Sequence, residues 1–189
     1  MKRFFLFVAM LLCFASIQAQ YVNFKLQKEG FFLTEDGTNY TIIDYEGKTA
    51  EELYNMVKSN VMSLYKNPQH VMIENKPLGI TIRALSNIIY ETYKPYGGGF
   101  ISYQAYYNYI FQFKDGKIKV DAPLVDSKLY TKSVFGAQTY PTSFVSVIEK
   151  WYDKNGDVKK KKADNVQEIE AIFNAPINYL LGNKQEDNW

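Results

Sequence analysis

One histidine, His70, and one cysteine, Cys13, are the only imidazole and thiol in the 189-residue sequence. Zinc sets built on paired Cys and His cannot assemble from them, and no His-Glu-x-x-His or Gly-x-Ser-x-Gly motif marks a catalytic base or nucleophile. Cys13 sits inside an N-terminal apolar run, so the chain that follows has no thiol chemistry. His70, after Asn67-Pro68, is read as a strand-edge residue at the start of a short strand. Asp153, Asn155 and Asp157 fall at the first, third and fifth places of a calcium-type loop, with Asp164 at the twelfth. The sixth place requires Gly for its sharp turn and holds Val158, while Lys159 to Lys162 bring positive charge into the loop. Asn155-Gly156 is therefore read as a hairpin turn, and no catalytic residue, metal ligand or cofactor is assigned. Paired carboxylates leave no spacing signature, so a carboxylate-based hydrolase is carried as the lesser alternative.

The residue in excess is tyrosine. The sequence holds 16 Tyr, 13 Phe and 2 Trp, which makes aromatics the compositional anomaly. Tyr90, Tyr93, Tyr96, Tyr103, Tyr106, Tyr107 and Tyr109 gather around Gly97-Gly98-Gly99. A tyrosine offers a large contact area with a polar tip, which suits binding surfaces. Tyr107 and Tyr109 alternate with polar residues and are read as packing or cross-strand pairs. Tyr93, Tyr96, Tyr103 and Tyr106 are the candidate binding residues.

These side chains must be positioned by a fold that begins after an export segment. Met1-Lys2-Arg3 is basic, Phe4 to Ala15 is apolar, and the polarity then rises to a small residue at Ala19. That order is the pattern of a cleaved secretory signal over residues 1–19, and the apolar run falls short of the ~20 residues a membrane span needs. Lys2 and Arg3 are two of 22 basic residues against 20 acidic ones, so their removal leaves a neutral chain. Neutrality and export argue against nucleic acid, and the Lys159 to Lys162 run reads as a solvated loop. A thiol-free exported domain holds together by its apolar core alone.

Residues 20–38 read as an N-terminal extension or leading strand, and residues 39–182 as one domain with an insertion near 126–164, followed by a tail at 183–189. Tyr40 to Tyr45 is a strand. Thr49 with Glu52 forms a capping box for a helix whose Ala50, Leu53, Val57, Val61 and Leu64 share one face. Ile80 to Tyr90 and Tyr103 to Phe113 read as strands, and Asp115-Gly116 turns the latter into Lys117 to Asp121. Asn165 with Glu168 predicts a second cap, ahead of an apolar stripe of Ile169, Ile172, Phe173, Ile177 and Leu180 that Pro176 should kink or restart. The order strand, helix, four strands, helix implies an α+β fold with helices packed on one face of an antiparallel sheet.

Three stretches carry a resemblance. Tyr45 to Tyr54 (Tyr-Glu-Gly-Lys-Thr-Ala-Glu-Glu-Leu-Tyr), the Tyr107-to-Asp121 hairpin and Trp151 to Gly156 resemble domain-of-unknown-function family 4468, described as having a TBP-like fold. The resemblance spans about residues 39 to 182. It implies a TBP-like α+β domain typical of exported Gram-negative proteins, and it supplies no activity, ligand or site residue. The sequence thus leads to an exported, non-enzymatic binding or interaction module of the bacterial cell envelope, in the periplasm, on the outer membrane or secreted. Its expected partner is an envelope protein, peptide or glycan, with no nucleic acid and no membrane span after cleavage. A structural or assembly role through exposed strand edges is the alternative.

Overall fold

The computed structural model describes residues 21–75, 78–94, 99–133 and 143–183. Residues 1–19, read as an export signal, and Tyr96, Gly97 and Gly98 lie outside the described residues. The elements are β1 (Lys25–Leu26), β2 (Phe32–Leu33), β3 (Tyr40–Asp44), α1 (Ala50–Leu64), α2 (Pro68–Val71), β4 (Met72–Asn75), β5 (Gly79–Leu85), β6 (Tyr90–Lys94), β7 (Gly99–Lys114), β8 (Lys117–Asp121), β9 (Leu124–Ser133), α3 (Phe144–Ile148) and α4 (Ala163–Leu180).

Everything is built on β7, 16 residues long. Its C-terminal half lies between β5 and β8, its N-terminal half between β6 and β9, and the seven-stranded sheet runs β3-β8-β7-β5-β4 at one end. All pairings are antiparallel. The strand read over Ile80 to Tyr90 is two strands with a jog between them. Ser86 stays tied to Ala105 through its backbone N–H (2.9 Å) and its Oγ (3.0 Å), while Ile89 N–H reaches Tyr103 O at 2.8 Å. On the other side of β7 the register with β9 shifts between Ala105 and Tyr107. The segment read as an insertion therefore supplies β9 to the main sheet.

Period-two alternation sorts β7 into two faces. Ile101, Tyr103, Ala105, Tyr107, Tyr109, Phe111 and Phe113 are buried under the helices, level with Ile80, Ile82, Ile118 and Val120 of the neighbouring strands. Helices α1 and α4 cover this face. Thr49 Oγ1 accepts from Glu52 N–H (3.2 Å), Glu52 Oε2 accepts from Thr49 N–H (2.8 Å), and Asp115 of the β7–β8 hairpin accepts from Ala50 N–H (2.8 Å). Leu53, Val57 and Val61 are fully buried, each worth about 1.5–3 kcal/mol by area removed from water.

Helix α4 departs from expectation twice. It starts at Ala163 with no side-chain cap, and Asn165 lies inside it. The preceding Lys162 instead places its ammonium 5.7 Å from the Trp151 ring and 5.9 Å from that of Tyr90. Pro176 does not break the helix either: it runs unbroken from Ala163 to Leu180. Proline cannot donate to the preceding turn. The Tyr109 hydroxyl donates to the nearby Phe173 carbonyl at 2.9 Å, supplying a hydrogen bond from β7 to that turn. Gly182, at φ +87°, closes the helix as its N–H reaches Tyr179 O and Asn183 N–H reaches Asn178 O. His70 lies in the one-turn helix α2, one element before the strand on which it was expected.

Candidate functional site

The even residues of β7 face the other way, onto a side of the sheet that carries Arg83, Asn108, Asp126 and Tyr106. Arg83 Nη2 pairs with Asp126 Oδ2 at 2.7 Å, and Nη1 donates to Asn108 Oδ1 at 3.3 Å. The Arg83 guanidinium lies 5.3 Å from the Tyr106 ring. Around this cluster stand Leu85 (42% exposed), Leu124 (53%) and Ile73 (56%), each opposite a residue of this face in the ladder. Ile42 (48% exposed) and Tyr40 continue the same face on β3, where Lys119 sits 4.7 Å over the Tyr40 ring and pairs with Asp121 at 2.7 Å. Exposed apolar side chains grouped around an Arg–Tyr pair have the composition of an interface centre.

Among the described residues, β3 is the last strand at this end of the sheet. Hydrogen bonds from Ala122 N–H to Asn39 O (2.8 Å) and from Tyr45 N–H to Gly116 O (2.7 Å) fix the phase of the β3–β8 ladder: odd-numbered residues of β3 bond β8. The backbone groups of Tyr40 and Ile42 accordingly point away from β8. Beside them lies a cleft of about 540 Å³ lined by Tyr21, Asn23, Thr34, Glu35, Asp36 and Ile42, among others. Thr34 Oγ1 donates to the Asp36 carboxylate, the largest cause of its lowered pKa, and Thr38 Oγ1, 2.7 Å from Thr34 Oγ1, lies 3.3 Å from the same carboxylate oxygen.

The opposite wall of the cleft is held by a device that sequence reading missed. Residues 22–26 run extended along α4, and three helix side chains act as their hydrogen-bonding partner. Asn178 Oδ1 accepts from Val22 N–H and its Nδ2 donates to Val22 O, both at 2.8 Å. Asn174 does the same for Phe24, both at 2.9 Å, and Glu170 Oε1 accepts from Leu26 N–H at 3.0 Å. Tyr152 OH completes the third rung by donating to Leu26 O at 2.7 Å, and Lys25 Nζ pairs with Glu170 Oε2 at 3.2 Å. Val22, Phe24 and Leu26 are buried, so the extension belongs to the core. The available signal was three polar residues at i, i+4 and i+8 on an otherwise apolar helix face.

The four candidate tyrosines do not form one surface. Tyr103 and Tyr106 are on opposite faces of β7. Tyr103 is 8% exposed and stacked on Tyr90 at 5.9 Å, so the surface role expected for it is not met: its odd position in β7 turns it under the helices. Tyr106 faces outward beneath Arg83. Tyr93 pairs with Phe100 in the β6–β7 ladder, and Tyr96 lies outside the described residues. Tyr107 and Tyr109 are core, as their alternation predicted; Tyr65 OH and Tyr107 OH bond at 3.0 Å, and burial raises the pKa of all three.

The carboxyls with displaced pKa values, Asp36, Glu52 and Glu74, all move down. Glu52 is held by the Thr49 backbone and side chain, Glu74 by Lys58 and Tyr54. None of these is an acid kept protonated for proton donation. Asp153 Oδ1 accepts from the amides of Asn155 (2.8 Å) and Asp157 (3.0 Å), which ties the Asn155-Gly156 turn. Among the described residues no helix is long and apolar enough to cross a membrane.

No family model and no curated protein matches the sequence. Solved structures similar to this one include a TBP-like protein from Parabacteroides distasonis ATCC 8503 and a DUF4468 family protein from Bacteroides ovatus ATCC 8483. The first is 10% identical with a TM-score of 0.41, covering 76% of this chain and 86% of that one. The second is 9% identical with a TM-score of 0.45, covering 92% and 95%. The first carries the fold label and the second the family number named in the resemblance.

Proposed function

We propose that the protein is an exported, non-enzymatic binding module of the bacterial cell envelope that engages a macromolecular partner through the open face of its sheet. The observation that carries this reading is the grouping of Leu85, Leu124 and Ile73 around the Arg83–Asp126–Tyr106 cluster. Apolar area of this kind, set around a desolvatable Arg and an aromatic ring, is what binding hot spots are made of. Export rests on the Met1-to-Ala19 pattern, and the absence of a recognisable nucleophile–base pair in the sequence supports a binding role over catalysis.

The test is capture of partners from an envelope extract by the wild-type chain and by the double variant Leu85→Ser, Tyr106→Ala. Loss of specific partners from the variant is expected. Identical profiles would remove the open face from the proposal. N-terminal sequencing of the natural product tests export, with a start near Gln20 expected and a start at Met1 contradicting it.

A further inference from the structure

We propose that the cleft between β3 and residues 21–23 takes an extended basic peptide as an added strand of the sheet, paired to the outward backbone groups of Tyr40 and Ile42. This goes beyond the open-face reading: it concerns the edge of the sheet, it names the ligand class, and it stands or falls on different residues.

Four observations converge on it. The ladder phase leaves the N–H and C=O of Ile42 and the N–H of Tyr40 directed away from β8; the Tyr40 carbonyl accepts the Thr38 hydroxyl at 2.8 Å and keeps a second lone pair. Edge strands are ordinarily guarded by Lys, Pro, a bulge or a covering element. Residues 40–44, Tyr-Thr-Ile-Ile-Asp, contain neither Lys nor Pro, and their pairing with β8 runs without a register shift. The space beside that edge is a cleft of about 540 Å³. Its far wall is also strand-like. Because Val22 and Phe24 spend their backbone groups on Asn178 and Asn174, the intervening Asn23 turns its own groups to the opposite side, the side on which Lys25 pairs with Leu33. The β1–β2 pairing stops at Lys25 and Leu33, so Asn23 faces the region where that ladder has ended.

The peptide's character follows from the lining. Side chains at every second position of an added strand fall on one face. On the open face they meet Ile42 and Tyr40, which favours apolar residues there. Glu35 and Asp36 line the cleft, and neither has an ion pair among the described residues. The Thr34 bond holds the Asp36 carboxylate in its charged form, which favours a cationic ligand. Backbone pairing supplies affinity and the alternate side chains supply selectivity, as in strand-addition recognition generally.

The experiment uses the isotope-labelled chain from Gln20 and three end-blocked pentapeptides: one alternating Lys and Val, its N-methylated analogue, and one alternating Glu and Val. Titration followed by amide NMR is expected to give saturable shifts at Tyr40, Ile42 and Asn23 with the Lys peptide, and slowed hydrogen exchange at Ile42. N-methylation, which removes peptide backbone donors, is expected to weaken binding about tenfold or more. The Glu peptide should bind more weakly than the Lys peptide. Ile42→Pro, which deletes an outward N–H while leaving the β8 ladder intact, should match the N-methyl effect, and the exposed Gln167→Ala should bind like wild type. The N-methylated peptide provides the same test if Ile42→Pro fails to fold. No saturable shift, shifts confined to Leu85 and Leu124, or equal binding by the N-methylated peptide would overturn the proposal. Concentration-dependent slowing at Ile42 without peptide would assign the edge to a second copy of the chain and overturn it equally.

Discussion

Replacing Asn174 with Ala tests whether α4 serves as a strand partner for the N-terminal segment. The wild-type amide makes two hydrogen bonds to Phe24, each 2.9 Å, at a residue 6% exposed against one that is fully buried. The truncation leaves both the N–H and the C=O of Phe24 buried without a partner. A buried orphan costs about 1–3 kcal/mol, so the two together predict a loss of about 2–6 kcal/mol. This loss cannot exceed the docking free energy of residues 22–26, because beyond that point the segment detaches and the orphans meet water. Urea unfolding at constant slope reads the global loss, and amide exchange at Phe24 reads detachment. Exposed Gln167→Ala on the same helix is the control and should fall within about 0.5 kcal/mol of wild type. A change of less than about 0.5 kcal/mol for Asn174→Ala, with Phe24 protection unaltered, would refute the reasoning.

Tyr109→Phe removes a second donor to Phe173 O, which keeps its helical one, and should cost about 0.5–1.5 kcal/mol by urea midpoint, with amide exchange in the last two turns of α4 rising ahead of that in α1. In alkali, burial holds Tyr45 up to about 12 and, with help from Glu170 and Glu29, Tyr152 to about 12, against an ordinary value of 10. The unfolded chain therefore releases these protons first. Their contribution is complete below pH 10 and is lost as the pH rises towards about 12, so urea midpoints should fall across that window, and Tyr45→Phe should flatten the fall.

Local signals were readable wherever one residue's neighbours in sequence are also its partners in space. Thr49 and Glu52 are three apart and cap each other, and Gly116 and Gly182 adopt the positive φ their turns require. The alternation from Tyr103 to Phe113 gave the buried face of β7, including Tyr107 and Tyr109 as core. Tyr103 shares their odd parity and their face. What failed depended on partners far away in sequence. Pro176 leaves the Ile172 carbonyl without its helical donor yet stays within an unbroken helix, which β7 grips one residue on through the Tyr109 hydroxyl on Phe173 O. The jog at residues 86–89 is stabilised by Ala105 and Tyr103, which no property of Ile80 to Tyr90 announces. The β3 edge could be recognised only once β8 was known to occupy its other side.

The three rungs on α4 behave as a vernier. Eight helical residues from Glu170 to Asn178 advance about 12 Å, whereas four extended residues from Val22 to Leu26 advance about 13.2–13.6 Å. The two scales therefore drift apart by about 1.2–1.6 Å across the set, close to the length one carbon–carbon bond adds. The rung at the far end is made by glutamate, one methylene longer than the two asparagines. The same drift limits the motif: each further rung adds about 0.6–0.8 Å of mismatch, so a helix pairs in this way with only a short length of strand before longer side chains are needed.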